Sequence, residues 1–233
     1  PEYGIPTINM LRKLQPDIVI NNRAYIADVN SPRAGLQDNV GDYSTPEQRV
    51  GEFNRERPWE TCMTICKQWA WKPNDTMKSL EQCLQTLLLT VGGDGNLLFN
   101  VGPMPDGRIE PRQVDRLLEM GAWLDKYGDG VYGTRGGPFM PDLKWGASTC
   151  KGDAIYLFVM QWPKTGPLSL PAIDAKVLSA EALTGGTATL SQTDTGITID
   201  LPAADRVPIA TVIRLTVSKP AFEIAPVAVT VAE

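Results

Sequence analysis

The spacing of apolar residues predicts three helices in the first half of the chain, over residues 8–14, 79–91 and 111–127. In each helix the apolar residues return every three or four positions, so they share one face. Ser79 and Gln82 have the spacing of a capping box at the start of the second helix. A glycine follows the third helix, as is common at a helix end.

Short apolar runs between these helices predict buried strands over residues 17–21, 61–66 and 96–101. A polar loop rich in Asn, Asp, Gly and Pro follows the first run and extends to about residue 58. Such long loops are uncommon in compact domains and usually carry function. Strands that alternate with helices in this order are typical of a parallel α/β sheet or barrel.

From about residue 145 the pattern changes to short alternating runs between turn residues, which is typical of an antiparallel β-sandwich. The chain is therefore divided into an α/β part, residues 1–137, and an all-β part, residues 138–233. Strands are predicted over residues 154–159, 187–192, 197–201 and 211–217, with turns at Gly185-Gly186 and Asp194-Thr195-Gly196.

The composition removes several kinds of chemistry, because the chain contains no histidine. Ser-His-Asp and Cys-His catalysis, histidine-ligated zinc and histidine-ligated haem are excluded within these residues. Cys62 and Cys66 lack the C-x-x-C spacing of a zinc or redox site, and the cysteines are interpreted as small buried side chains. A formal charge of −5 argues against nucleic acid as a partner, and no apolar run is long enough for a membrane span.

Four polar or aromatic clusters follow the predicted strands, where a parallel barrel gathers its functional groups. They are residues 21–23, 41–47, 69–71 and 100–103. Aromatic rings, an arginine and carboxylates without histidine indicate a carbohydrate site, since carboxylates can act as acid, base or nucleophile. Each feature also has an ordinary interpretation: Glu47 as a solvated carboxylate, Arg23 as a salt-bridge partner, and Trp69 and Trp71 as core residues.

Four segments in order carry a resemblance to a known family. They are Gly-Asp-Tyr-Ser-Thr-Pro-Glu (41–47), Trp-Glu-Thr-Cys-Met-Thr (59–64), Gly-Asn-Leu-Leu-Phe-Asn-Val-Gly-Pro (95–103) and Gly-Asp-Gly-Val-Tyr-Gly-Thr (128–134). Together they resemble the α-L-fucosidases of glycoside hydrolase family 29. The resemblance implies the C-terminal part of a (β/α) TIM-like catalytic barrel followed by a β-sandwich domain. It also implies a retaining enzyme that removes terminal α-L-fucose from glycoconjugates or oligosaccharides, with no metal or organic cofactor.

Individual residues take roles from this resemblance. Glu47 matches the general acid/base of the family in its Thr-Pro-Glu motif, and Arg23 matches a substrate-binding arginine. Trp69 matches the aromatic residue that packs against the C6 methyl group of fucose. Trp59 and Glu60 match a motif whose role is structural support behind the sugar-binding residues.

One family motif has no counterpart in this chain. The nucleophile of the family is an aspartate in a Trp-x-Asp motif just before the first helix, where only residues 1–3 stand here. Asp28, Asp38 and Asp42 do not occupy a matching position, so none is assigned as nucleophile. We therefore expect the chain to be the C-terminal part of the enzyme and to be inactive alone, with half a barrel leaving an exposed apolar interior.

Two other functions compete with this interpretation. One is a different retaining exo-glycosidase on a similar barrel, and the other is a non-catalytic carbohydrate-binding protein that has lost its nucleophile. A secreted, periplasmic or lysosome-like location follows from the family resemblance alone, and the sequence predicts no oligomeric state.

Overall fold

The computed structural model describes residues 4–24 and 41–230, so positions 25–40 of the predicted polar loop lie outside the described residues. The first half contains α1 (Gly4–Leu14), β1 (Glu60–Thr64), α2 (Leu80–Gly92), β2 (Asn96–Asn100) and α3 (Pro111–Tyr127). All three predicted helices are confirmed, as is the capping box of α2. Among the described helices, none combines the length and apolar character needed to cross a bilayer.

The first half is built on parallel pairing of consecutive segments. β1 pairs with β2 in parallel register, Glu60 opposite Asn96 and Thr64 opposite Asn100. Isolated parallel bridges extend this arrangement upstream along the chain. They join Asn21 to Tyr43, Ser44 to Trp59 and Glu47 to Cys62. Segments 20–22 and 42–47, β1 and β2 therefore run side by side in one direction.

The strand predicted over residues 17–21 is wrong as a regular strand, since only Asn21 forms a bridge. The Asp42 carboxylate accepts the backbone N–H of Ile20 at 2.8 Å, and the N–H of Asp42 donates to the carbonyl of Ile20 at 2.6 Å. The apolar run is extended, but part of its hydrogen bonding goes to a side chain rather than to a strand ladder.

The second half contains two antiparallel sheets. Its strands are β3 (Arg135–Gly136), β4 (Gly146–Lys151), β5 (Ala154–Val159), β6 (Leu168–Pro171), β7 (Val177–Ala182), β8 (Thr189–Thr193), β9 (Gly196–Asp200) and β10 (Thr211–Val217). The larger sheet has the order β3-β4-β5-β10-β7 and the smaller one β6-β9-β8. Their facing apolar side chains form one core, which includes Leu157 of β5, Leu170 of β6 and Ile199 of β9. The predicted β-sandwich is therefore present.

The larger sheet also packs against the helices of the first half. Tyr156 and Phe158 of β5 and Val212 of β10 form a second core with Leu88 of α2, and Trp123 of α3 packs against it. Every residue of β5 is buried, because one face meets the smaller sheet and the other meets the helices. A continuous apolar run without alternation is the expected sequence of such a strand.

The strand predictions at 154–159 and 211–217 are confirmed without change, whereas four strands, the two-residue β3 together with β4, β6 and β7, had no specific prediction. β4 carries small and polar residues, because α2 approaches so closely that a Cβ on Gly92 would lie 2.7 Å from that of Ala147. β6 is short and ends in proline, and β7 lies exposed at the edge of its sheet. The division at residue 137 stays a prediction.

A group of side chains joins the two halves, and we call Arg55, Asp94, Arg135 and Phe222 the latch. Arg55 donates to the carbonyls of Gly136 (2.8 Å), Phe222 (3.2 Å) and Ile224 (3.0 Å). Arg135 contacts both carboxylate oxygens of Asp94, at 2.6 and 2.9 Å. Both guanidinium groups lie over the Phe222 ring, at 4.7 and 4.3 Å from its centre.

Candidate active site

The parallel pairing defines a carboxyl edge, where segments 20–22 and 42–47, β1 and β2 all end. Residues that follow these segments come together at this edge because the segments run in the same direction. The four sequence clusters, residues 21–23, 41–47, 69–71 and 100–103, belong to these segments or to the loops that leave them. The structure therefore brings these clusters onto neighbouring parallel segments, and their roles in a sugar site stay predictions.

Arg23 and Glu47 form an ion pair at the carboxyl edge. Arg23 Nη1 lies 2.7 Å from Glu47 Oε2, and the two side chains are 40% and 43% exposed. The remaining nitrogens of Arg23 contact Thr45, with Nε donating to Oγ1 at 2.8 Å and Nη2 to the carbonyl at 3.3 Å. The Glu47 carboxylate is thus held against the Arg23 guanidinium, which is itself fixed by Thr45, two residues before Glu47.

The buried side-chain amide of Asn22 holds Thr45, the residue that contacts Arg23. The Asn22 side chain is 1% exposed, and its Oδ1 accepts from both the backbone N–H and the hydroxyl of Thr45, at 3.1 and 3.0 Å. Because the hydroxyl proton of Thr45 is used in this way, a lone pair of Oγ1 faces Arg23. Neither Asn22 nor Thr45 was assigned a role from the sequence, although both lie inside the clusters found there.

A thiol lies next to the ion pair, since Cys62 is the bridge partner of Glu47. Burial raises the pKa of Cys62, while the nearby Arg23 charge lowers it and the Glu47 and Glu60 charges raise it. The thiol therefore stays protonated near neutral pH. A neutral thiol is a weak nucleophile, so the ionisable chemistry of this site rests on Glu47.

Trp69 lies in the loop after β1 and is 39% exposed. The loop is anchored by the backbone N–H of Gln68, which donates to the Asp75 carboxylate at 2.8 Å. Within the described residues, neither a hydrogen bond nor a ring contact links Trp69 to Arg23 or Glu47. The Trp69 ring is therefore accessible in the loop that leaves β1. Its contact with a sugar stays a prediction.

Trp59 and Glu60 lie at the other end of β1 from the carboxyl edge. The Trp59 ring is 2% exposed and donates from Nε1 to the carbonyl of Gly93 at 3.1 Å. Its packing needs a glycine at position 95, where a Cβ would lie 2.4 Å from the ring. Glu60 is the first residue of β1 and donates its backbone N–H to the Ser44 carbonyl. Both residues therefore lie at the amino end of β1, with Glu60 two residues before Cys62, the bridge partner of Glu47.

The aspartates weighed as nucleophiles gain no support. Asp28 and Asp38 lie outside the described residues. The Asp42 carboxylate is occupied by Arg12, at 2.8 Å, and by the Ile20 N–H. That backbone hydrogen bond, together with the Arg12 charge, lowers the pKa of Asp42.

Neither a cluster of metal ligands nor the cavity lined by Arg55, Asp94 and Arg135 coincides with the Arg23–Glu47 pair in the described residues. In residues 4–24 and 41–230, no three Cys, Asp or Glu side chains gather as a metal site would require. A cavity of about 730 Å³ lies at the amino ends of β1 and β2, beside Arg55, Asp94 and Arg135, and includes neither Arg23 nor Glu47. The candidate active site is therefore identified from the Arg23–Glu47 ion pair and not from this cavity.

Residues 3–129 match the family model described as Alpha-L-fucosidase. The chain belongs to the alpha-L-fucosidase family. An alpha-L-fucosidase of Branchiostoma floridae is 32% identical over 181 residues, which cover 73% of this chain and 40% of that relative. The chain thus spans less than half the length of that fucosidase.

Solved fucosidases share the fold of both halves. Alpha-L-fucosidase isoenzyme 1 from Paenibacillus thiaminolyticus superposes with a TM-score of 0.74 at 28% identity, covering 93% of this chain and 54% of its own. A GH29 fucosidase from Bacteroides thetaiotaomicron gives a TM-score of 0.76 at 26% identity, covering 92% and 52%. The expected fold class, the C-terminal part of a (β/α) barrel followed by an antiparallel β-sandwich, is confirmed. The resemblance of the sequence to this family of glycoside hydrolases is confirmed with it.

Proposed function

We propose that the natural gene product containing this chain is a retaining exo-fucosidase that removes terminal α-L-fucose from glycoconjugates or oligosaccharides. The observation that carries the proposal is the Arg23–Glu47 ion pair at the carboxyl edge of a parallel sheet. The Bacteroides thetaiotaomicron relative bears on the mechanism, because its structure is that of a trapped covalent intermediate, obtained with a glutamate-to-glutamine variant and 2-fluoro-fucosyl fluoride. A covalent intermediate is the signature of double displacement.

In this mechanism Glu47 is the general acid/base. In the first step it protonates the oxygen of the leaving group while an aspartate attacks the anomeric carbon. In the second step the ionised Glu47 takes a proton from the water that releases fucose. Arg23 holds the Glu47 carboxylate and offers donors to sugar hydroxyls, and Trp69 provides an apolar surface for the C6 methyl group.

The nucleophile belongs, in this proposal, to sequence outside these residues. Retaining hydrolysis needs two carboxyl groups about 5–5.5 Å apart, and the family resemblance supplies only Glu47 here. The chain covers about half of each solved relative, and we propose that the remaining barrel carries the aspartate and walls the sugar pocket.

The test is Glu47→Gln in the natural gene product. Glutamine keeps the shape of the side chain but cannot transfer the proton. The kcat/KM for a fucosyl disaccharide should fall by about 10²–10⁴. A fucoside with an activated aryl leaving group needs no protonation, so its kcat/KM should fall far less. Glu52→Gln, which changes an exposed glutamate of the same loop, is the control and should leave both values unchanged.

Two substrates and one binding measurement separate the alternatives. Equal rates for wild type and Glu47→Gln on both fucosides would end the assignment of Glu47. Preference for an aryl galactoside over an aryl fucoside would indicate a different glycosidase. Fucose binding without hydrolysis by the wild-type protein would favour the carbohydrate-binding alternative.

Residues 1–233 expressed alone should show little or no hydrolysis. Val19 beside the parallel segments and Leu98 in β2 are 70% and 50% exposed. Apolar side chains exposed beside an open sheet favour association. A soluble monomer of these residues that hydrolyses fucosides would contradict both the role of an outside nucleophile and this expectation.

A further inference from the structure

We propose that Gln48 is a positioning residue for Glu47, acting through its contact with Thr64 at the end of β1. The inference rests on the proposed role of Glu47 as acid/base and adds a residue that sets its direction.

The backbone of Gln48 has an unusual conformation directly after Glu47. Its φ is +54°, in the left-handed region that a residue with a side chain rarely adopts. Such residues persist only where surrounding contacts hold them, and they cluster at functional sites. Here the conformation changes the direction of the chain immediately after Glu47.

Main-chain hydrogen bonds fix the backbone on both sides of Glu47. The N–H of Cys62 donates to the Pro46 carbonyl at 2.9 Å, and the N–H of Gln48 donates to the Cys62 carbonyl at 2.9 Å. These two bonds hold the Cα of Glu47 against β1. The orientation of the following turn is then set by two contacts with β1: the Thr61 hydroxyl donates to the Arg49 carbonyl, and the Gln48 amide contacts Thr64.

The Gln48 amide contributes to the orientation of this turn through its contact with Thr64. Gln48 Nε2 donates to Thr64 Oγ1 at 3.1 Å, and the backbone N–H of Thr64 lies 3.5 Å from Gln48 Oε1. Thr64 is 1% exposed and is itself held, since its carbonyl accepts from Lys78 Nζ at 2.5 Å. The amide therefore ties the strained turn to a rigid, buried point of β1.

An amide suits this task because it is neutral. A charged side chain at position 48 would compete with Arg23 for Glu47 or repel its carboxylate. Gln48 instead fixes the turn without placing a charge beside the Arg23–Glu47 ion pair, in which Nη1 and Oε2 lie 2.7 Å apart. Displacement of a catalytic group by about 1 Å can cost a hundredfold in rate, so loss of the amide should be measurable.

The experiment compares Gln48→Ala and Thr64→Val in the natural gene product on two fucosides. The kcat/KM for a fucosyl disaccharide, which needs proton transfer, should fall about 10–100-fold in each variant. The kcat/KM for an activated aryl fucoside should fall by less than about threefold. The double variant should lose no more than the larger single variant, because both changes break the same contact.

Three further variants make the result decisive. Thr64→Ser keeps the hydroxyl and should restore the disaccharide rate. Gln48→Gly removes the backbone strain together with the amide, and it should be as slow as Gln48→Ala. Gln85→Ala makes the same chemical change on the surface of α2, where Gln85 contacts only Glu81 in the described hydrogen bonds, and it should be silent.

The outcomes separate this inference from the function it depends on. A wild-type protein without fucosidase activity, or an active Glu47→Gln variant, would defeat the proposed function itself. If Glu47→Gln behaves as proposed but Gln48→Ala keeps the wild-type disaccharide rate, the positioning role alone is wrong. Equal losses on both fucosides would indicate a general structural effect and would also overturn it, as would a Gln48→Gly variant with wild-type rates.

Discussion

Arg23 distributes its nitrogen atoms between one carboxylate and one threonine, so a single guanidinium group holds both Glu47 and Thr45. A salt-bridge partner and a residue of the sugar site were weighed as alternatives for Arg23. The ion pair with Glu47 confirms the first interpretation, and contact of Arg23 with a sugar stays a prediction. The contacts of Thr45 and Asn22 depend on which backbone lies beside which, and spacing along the chain does not contain that information.

A second residue-scale feature gives a pH prediction. The Tyr156 hydroxyl donates to Asp129 Oδ2 at 2.6 Å, and burial together with this bond raises the pKa of Tyr156 to about 12. The same hydrogen bond, with one from Lys151, lowers the pKa of Asp129 below its ordinary 3.8. The stabilisation is therefore complete between about pH 5 and 9. It is lost as pH falls through the range below 3.8 and as pH rises from 10 towards 12.

Tyr156→Phe removes this hydrogen bond with little change of shape. Urea unfolding of wild type and variant should give a free-energy difference that is constant from pH 5 to 9 and shrinks by pH 11. Tyr132→Phe, which alters an exposed tyrosine, is the control. A difference that stayed the same at pH 11 would show that the pair does not titrate as described.

At the scale of elements, local signals were sufficient for helices and insufficient for several strands. The beginnings and ends of α2 and α3 depend on caps, a proline and glycines close in sequence, so they could be predicted. β7 could not, because an exposed edge strand needs no apolar alternation, and its existence depends on pairing with β10. The failed strand at 17–21 shows the opposite case, since its apolar run lacks a regular ladder.

The capping box of α2 gives a prediction at this scale. Ser79 accepts from the N–H of Gln82 at 3.1 Å, and the N–H of Ser79 donates to the Gln82 amide oxygen at 2.9 Å. Ser79→Ala should lower the free energy of unfolding by about 1 kcal/mol, measured by urea titration. Ser79→Asp keeps an acceptor favoured at this position and should be close to wild type. Equal losses in the two variants would mean that the cap does not stabilise the helix.

The whole molecule is organised by a switch from parallel to antiparallel pairing, which the change of sequence pattern near residue 145 indicated. The order of strands and the burial of the larger sheet on both faces were not predicted. They depend on contacts between residues far apart in the chain, such as those of Leu88 with β5 and β10. The latch is of the same kind, because Arg55 and Phe222 meet across more than half of the sequence.

Loss of the latch should weaken the union of the two halves. Arg55→Met keeps the aliphatic part of the side chain but removes its three hydrogen bonds to carbonyls. The free energy of unfolding should therefore fall by about 2–3 kcal/mol. The measurement is urea unfolding of the natural gene product followed by tryptophan fluorescence. Arg49→Met, at an exposed position, should change little. A loss below about 0.5 kcal/mol would show that the apolar packing alone joins the halves.

The latch has an evolutionary consequence. Arg55 contacts main-chain oxygen atoms of residues 136, 222 and 224, and such atoms are present whatever side chains these positions carry. These three hydrogen bonds therefore tolerate divergence of the sandwich sequence, whereas the contacts of the Phe222 ring and the close approach of Gly136 to Asp94 do not. The family model ends at residue 129, yet solved fucosidases superpose on more than nine-tenths of the chain. Hybrid proteins that combine this barrel part with a sandwich from a distant relative should therefore keep the three Arg55 hydrogen bonds between their two halves.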